Sequence, residues 1–296
     1  MIRHRRTSAV FALCCAVSVA LVGCEGSSVG GADTTANQED VFTGTKKIDV
    51  DGKSVNVSCS GEAAEGEPVV VLLHGGGDDV EDLAGIQEAL SAENRVCSYD
   101  RLGAGASDKP DGPQTMETTG NVLTAVLDEV AGDAPAVLAG HSLGGLIIGR
   151  YAPEHQDRVA GLVLMDATSP TQRADLLREI PESATGPAVQ LRDGNLAGFD
   201  GQNPELLKIT DGEVRSAGDV PVEVIQHGQQ YLAQGVPEYG PGLEQAWADG
   251  QRKWLALSSD SNLSTAEGSG HHVYRDAPDL VVEKIQKVAG QVAEQG

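Results

Sequence analysis

The stretch that decides the fold is Ala136-Val137-Leu138-Ala139-Gly140-His141-Ser142-Leu143-Gly144-Gly145-Leu146-Ile147-Ile148. Its first four residues are apolar and read as a buried strand, and its last residues carry an apolar helical pattern. Between them a serine stands with glycines at minus two and plus two, the Gly-x-Ser-x-Gly pattern of a nucleophile elbow. Such a turn is sharp enough that only glycine at the flanks lets strand and helix approach. It would lift the Ser142 hydroxyl clear of the sheet. The helix that starts there would direct free N–H groups and its dipole at a reacting carbonyl. The other reading of Ser142 is a plain helix cap in a tight turn.

Outward from this stretch, strands and helices alternate. Lys46 to Val50 and Ser54 to Cys59 flank the hairpin signal Asp51-Gly52. A continuous apolar run predicts a buried strand at Val69 to Leu73, and further strands are read at Arg95 to Tyr99, Val159 to Met165 and Val220 to Ile225, the last led by Pro221, with a short final strand at Leu263 to Glu267. Helical spacing falls at Val80 to Leu90, Thr115 to Val130, Leu143 to Tyr151, Leu243 to Leu257 and Asp279 to Val292. The pattern predicts an α/β fold with a mostly parallel central sheet and helices on both faces. Between Thr168 and Gly218 the alternation lapses, and Pro170, Pro181, Pro187 and Pro204 break the chain. A connection that long is unusual, and residues 168–218 read as a mobile cap inserted over the sheet.

The chain has 296 residues, 40% of them hydrophobic, enough for one large domain. Net charge is −23, and about −26 without Arg3, Arg5 and Arg6, the only charges in the first 23 residues. That balance argues against nucleic acid or an anionic lipid surface as an electrostatic partner. The basic head Arg3-His4-Arg5-Arg6 precedes an apolar run from Ala9 to Val22, too short to span a bilayer and suited to a secretory signal. Residues 24–43, rich in Gly, Ser, Thr, Asp and Asn, read as a flexible tether, leaving 44–296 as the folded domain.

Two resemblances follow from these residues. Leu21-Val22-Gly23-Cys24 resembles the bacterial lipobox, which implies cleavage of residues 1–23 as a lipoprotein signal peptide and acylation of Cys24. The alternative is an ordinary secreted protein with a chance cysteine. The resemblance implies a place in the bacterial cell envelope, on the outer side of the cytoplasmic membrane, with membrane contact through the lipid anchor alone. The second covers about residues 44–296. Val71-Leu72-Leu73-His74-Gly75-Gly76-Gly77, Tyr99-Asp100-Arg101-Leu102-Gly103-Ala104-Gly105-Ala106-Ser107, the elbow at Gly140 to Gly145, and Gly268-Ser269-Gly270-His271-His272 occur in the order found in the α/β-hydrolase superfamily, which the chain resembles.

This resemblance implies a serine hydrolase of carboxylesterase or lipase type, acting on a small-molecule ester. Ser142 would be the nucleophile, and His271 the base, with His272 the neighbouring candidate. The family's usual acid position after strand seven holds no carboxylate here, so the acid falls to Asp166 at the end of strand six, as in branches such as the haloalkane dehalogenases. Asp166 can also be read as an Asx-turn, and Glu238 and Asp260 are rivals. The oxyanion hole would use the N–H groups of Leu143 and Gly76. Asp100 and Arg101 read as structural links between loops near the site. No cofactor or metal is implied, since the histidines lack metal-ligand spacing. Acyl transfer, amide cleavage, or a non-catalytic binding lipoprotein remain the alternatives, and nothing indicates an oligomeric state. Finally, the family's sheet places strand two beside strand four, which implies a disulfide between Cys59 and Cys97 in an exported protein; two inert thiols are the other reading.

Overall fold

The structure is a computed structural model that describes residues 42–62, 64 and 66–295. The signal peptide, the lipobox Cys24 and nearly all of the tether lie outside the described residues. Among the described residues eight strands form one sheet: β1 (Gly44–Val50), β2 (Lys53–Ser60), β3 (Val70–Leu73), β4 (Val96–Tyr99), β5 (Ala136–His141), β6 (Val159–Met165), β7 (Val222–His227) and β8 (Ser261–Ala266). Their order is β1-β2-β4-β3-β5-β6-β7-β8. β1 and β2 pair antiparallel, as do β2 and β4, and all other pairs are parallel. The hairpin turns through Asp51 and Gly52, both at positive φ (52° and 78°), as a tight two-residue turn requires.

Alternate residues of the buried strands feed two separate cores, because successive side chains point to opposite faces. Val71, Leu73, Leu138 and Leu164 pack on one face with α2 (Met116–Ala131) and α3 (Leu143–Tyr151). Val70, Leu72, Val137 and Val163 pack on the other with α1 (Ala84–Leu90), α8 (Val273–Asp276) and α9 (Pro278–Gln295). α2 starts one residue later than its spacing predicts, because Thr115 is its N-cap and forms a reciprocal capping box with Thr118.

Residues 168–218 hold more regular structure than their prolines suggest. They hold α4 (Gln172–Glu179) and α5 (Pro187–Phe199), and Pro187 opens α5 at the position where proline's missing N–H costs nothing. The packing of these helices also reaches beyond residue 218. Leu176, Ile180, Ala184 and Ala188 share a small core with Val236 and Leu243, which lie around α6 (Tyr231–Gly235) and on α7 (Gly240–Trp254).

Cys59 and Cys97 face each other in the β2–β4 ladder and are joined by a disulfide, with Cα atoms 4.1 Å apart. That is below the usual range of about 4.4–6.8 Å because both residues sit directly opposite in one close antiparallel pair. The bridge closes a loop of 38 positions, worth about 3 to 4.7 kcal/mol in the chain-entropy picture.

Candidate active site

The site lies at the carboxyl edge of the parallel strands, where open α/β sheets bind ligands. β5 ends at His141 and α3 begins at Leu143, so Ser142 alone makes the turn, at φ 50° and ψ −114°. The flanking glycines are demanded by contact. A Cβ on Gly140 would stand 2.5 Å from the Gly144 carbonyl carbon, and one on Gly144 would stand 2.4 Å from the Leu73 carbonyl oxygen. Ser142 stands at the N-cap position, yet its side chain makes no capping bond. Its Oγ lies 2.9 Å from His271 Nε2 instead, and 3.5 Å from Thr168 Oγ1. The helix-cap reading of this serine therefore does not describe its hydroxyl.

His271 comes from the loop after β8, and its Nδ1 lies 2.7 Å from Asp166 Oδ2. Asp166 follows β6 directly, is fully buried, and adopts a positive φ of 46° that aims its carboxylate at His271. It is not an Asx-turn: its oxygens accept from side chains of other elements and from the His227 N–H (3.1 Å). Burial pushes the Asp166 carboxyl upward, but the hydrogen bonds from His227 and His271 outweigh it and hold the group at about 2. The carboxylate is thus anionic at neutral pH and fixes the proton of His271 on Nδ1, leaving Nε2 free to accept from Ser142. His272 does not reach Ser142 and packs against His141 and Tyr274, while Glu238 and Asp260 are exposed.

The structure brings Leu143 and Gly76 together beside Ser142. All three line one cavity, and Gly76 abuts the Leu143 side chain. As the first residue of α3, Leu143 has no acceptor for its N–H within the helix. The loop bearing Gly76 is held from behind. Arg101 donates to the carbonyls of His74 (2.7 Å) and Gly75 (2.8 Å), and through Nε and Nη2 to both oxygens of Glu205 at 2.8 Å. Arg101 and Glu205 are both buried, so a loop beside the site is tied to the 168–218 segment by a desolvated bidentate ion pair. Burial, with Arg101 adding to it, drives His74 down to about 3 and keeps that ring neutral. Asp100 joins loops as well, accepting from Asn56, the Val80 N–H and the Ala106 N–H. His141, pushed down by burial, bonds through Nε2 to the His271 carbonyl (2.9 Å), so the residue before the serine fixes the backbone of the candidate base.

Three residues of the site are not among the sequence candidates: His227, Glu244 and Trp247. The Trp247 indole N–H donates to Asp166 Oδ1 (2.8 Å). His227 ends β7, the position where the acid was sought and not found, and its ring Nδ1 lies within hydrogen-bond distance of both Asp166 carboxylate oxygens. The one signal for it was a histidine standing in the usual acid stretch.

The cavity above Ser142 has a volume of about 470 Å³ and is walled mainly by apolar side chains, among them Leu176, Leu191, Phe199, Ile209, Leu243 and Trp247. Two carboxylates also reach it, and both are already paired: Asp175 with Arg178, Ser169 and Thr171, and Glu205 with Arg101. The arrangement can activate a hydroxyl, stabilise an imidazolium and receive an uncharged ligand of small-molecule size.

Comparison with known proteins agrees with this fold. A family model for the alpha/beta hydrolase fold matches residues 68–184. An uncharacterized protein of Schizosaccharomyces pombe is 27% identical over 140 residues, 39% of this chain and 26% of that protein, so the chain spans about a quarter of its relative's length. Among solved structures, the CarC enzyme, a serine hydrolase involved in carbazole degradation, superposes with a TM-score of 0.60 at 19% identity, covering 83% of this chain and 98% of that one. The enol-lactonase from Burkholderia xenovorans LB400 gives a TM-score of 0.56 at 20% identity, covering 82% of this chain and 99% of that one.

Proposed function

The chain is an α/β hydrolase by fold, and from that premise we propose that it is a serine hydrolase cleaving uncharged carboxylic esters through an acyl-enzyme. The observation that carries the reading is the unbroken chain from Ser142 Oγ to His271 Nε2 (2.9 Å) and from His271 Nδ1 to the buried Asp166 carboxylate (2.7 Å). Ser142 attacks the ester carbonyl while His271 takes its proton. The negative oxygen of the tetrahedral intermediate is received by the N–H groups of Leu143 and Gly76, each such donor being worth about 10²–10³-fold in rate. Asp166 stabilises the imidazolium, which then protonates the departing alcohol. Water activated by His271 releases the acid and frees Ser142. The apolar wall with its paired carboxylates favours neutral acyl and alcohol groups over charged ones. The enol-lactonase and the carbazole-pathway serine hydrolase share this fold, which supports attack on an acyl carbon.

A fluorophosphonate probe should label Ser142 stoichiometrically, and p-nitrophenyl esters of graded chain length should be hydrolysed faster than the matching anilides. An unlabelled serine in folded protein would leave a binding protein on a hydrolase scaffold. Faster turnover with an added alcohol than with water would make the protein an acyltransferase.

We further propose that Cys24 anchors the mature protein to the envelope, on the strength of Leu21-Val22-Gly23-Cys24. Cys24→Ser should move the protein from the membrane fraction to the soluble one, or leave the signal uncleaved. Wild-type protein found soluble with an unmodified terminus would refute the anchor.

A further inference from the structure

The Asp166 carboxylate serves two imidazoles. His271 occupies Oδ2 at 2.7 Å, while His227 Nδ1 lies 3.0 Å from Oδ1 and 2.9 Å from Oδ2. The other nitrogen of His227, Nε2, lies 2.9 Å from Glu244 Oε2. Both nitrogens of this ring therefore face carboxylate oxygens. Each contact needs a proton, and a neutral imidazole carries only one. The second proton sits on the ring or on a carboxylate. The carboxylates are solvated as anions by other donors: Asp166 by Trp247 Nε1 and the His227 N–H, Glu244 Oε1 by the N–H groups of Leu232 (2.7 Å) and Ala233 (3.3 Å). The proton therefore belongs on the ring.

We propose that His227 is a positioning residue of the reaction: bonded at both nitrogens, it locks the Asp166 carboxylate under His271 and, as an imidazolium, offsets part of the charge that would hold a proton on His271. The proposal rests on the reading of Ser142, His271 and Asp166 as the catalytic group. Burial works against charge on His227, but the bonds and charges of Asp166 and Glu244 outweigh it and raise the ring above its ordinary value. The groups facing His227 are Asp166 from the end of β6, Glu244 and Trp247 from α7, and Tyr231 from α6, whose ring meets it edge-on at 4.9 Å. Tyr231 is pushed up by burial first and by the two carboxylates next, so it stays a neutral phenol. A second cavity of about 220 Å³ is lined by His227, Glu244 and Trp247 but not by Ser142.

Functionally, a lone anionic Asp166 would stabilise the imidazolium of His271 even before substrate arrives, and a protonated base cannot take the serine proton. Sharing the carboxylate with a second cation weakens that hold. The acid limb of the pH–rate profile then lies lower than Asp166 alone would set it.

The test is kcat/KM for p-nitrophenyl butyrate, and the rate of fluorophosphonate labelling, each measured against pH for the intact chain, Glu244→Gln and His227→Gln. In Glu244→Gln the amide oxygen still accepts from Leu232 and Ala233 while its NH₂ faces His227. The ring then becomes neutral and keeps its Nδ1 bond to Asp166, so charge is removed with geometry kept. The acid limb should move up by about half a pH unit or more, a loss of about threefold at a fixed pH on the limb. His227→Gln should move it the same way and also lower plateau kcat about tenfold with little change in KM, since the carboxylate is now loosely held. Glu244→Gln tests the idea even if His227→Gln fails to fold. Limbs that coincide with wild type, or move to lower pH, overturn the proposal. A wild-type Ser142 that takes no label overturns it together with the reading it rests on, whereas a labelled Ser142 with coincident limbs overturns this proposal alone.

Discussion

Ser142→Ala is expected to lower ester-hydrolysis kcat by roughly 10⁶-fold, the scale on which removal of a nucleophile that acts as a unit with its base is felt. The loss arises at one atom. Without Oγ there is nothing 2.9 Å from His271 Nε2 to be acylated, while the cavity wall and the Leu143 and Gly76 N–H groups are untouched. Substrate affinity should therefore change little. The fold should survive as well: the positive φ of 50° is as costly for serine as for alanine, and the side chain contributes no helix cap. A melting temperature near wild type together with abolished turnover is the expected pair of results. A folded variant within tenfold of wild-type rate would remove Ser142 from the mechanism.

Asp166→Asn should cost about 10⁴-fold in kcat through the wrong tautomer of His271. The surrounding donors dictate how the amide is oriented. Trp247 Nε1 and the His227 N–H both point at Oδ1, so the carbonyl oxygen of the new amide stays there. Its NH₂ takes the Oδ2 position, 2.7 Å from His271 Nδ1, and donates. His271 Nδ1 must then accept, its proton moves to Nε2, and Nε2 can no longer take the proton of Ser142. KM should hardly change, because Asp166 does not line the cavity. The exposed Glu238 and Asp260 serve as controls, and Glu238→Gln and Asp260→Asn should leave the rate within a few-fold. A crippled Glu238→Gln beside a mild Asp166→Asn would place the acid on the wrong strand.

What the sequence made legible was local. The elbow needs a run of only five residues, and its glycines are forced by contacts 2.4–2.5 Å from a would-be Cβ, so the motif and the geometry coincide. β6 spans Val159–Met165, as its apolar run predicts, and Asp166 follows as the first polar residue past its end. β7 begins at Val222, two residues late, since Pro221 has no N–H and contributes only its carbonyl, which accepts from Leu162. What stayed hidden depends on the meeting of distant elements. His227, Glu244 and Trp247 come from β7 and α7, and no spacing connects them to Asp166 across 61 to 81 positions. Glu244 lies on a helix face with Leu243 and Trp247, where a carboxylate reads as an interruption of an apolar stripe until its partner ring is in view.

The Arg101–Glu205 pair bears on how substrate gets in and product gets out. Separating it would leave a guanidinium and a carboxylate unpaired out of water, a change of the kind that costs about 3–5 kcal/mol when one member of a buried pair is deleted. A motion repeated at every turnover avoids such a step if Glu205 serves as the pivot. The side of α4 and α5 is then the one to widen, where the small core of Leu176, Ile180, Ala184 and Ala188 can slide on Val236 and Leu243 once polar ties such as those from Arg173 and Ala174 to Asp211 give. In that arrangement the loop beneath Arg101 stays still, and the Leu143 and Gly76 N–H groups proposed for the oxyanion need no reassembly between one proposed ester substrate and the next.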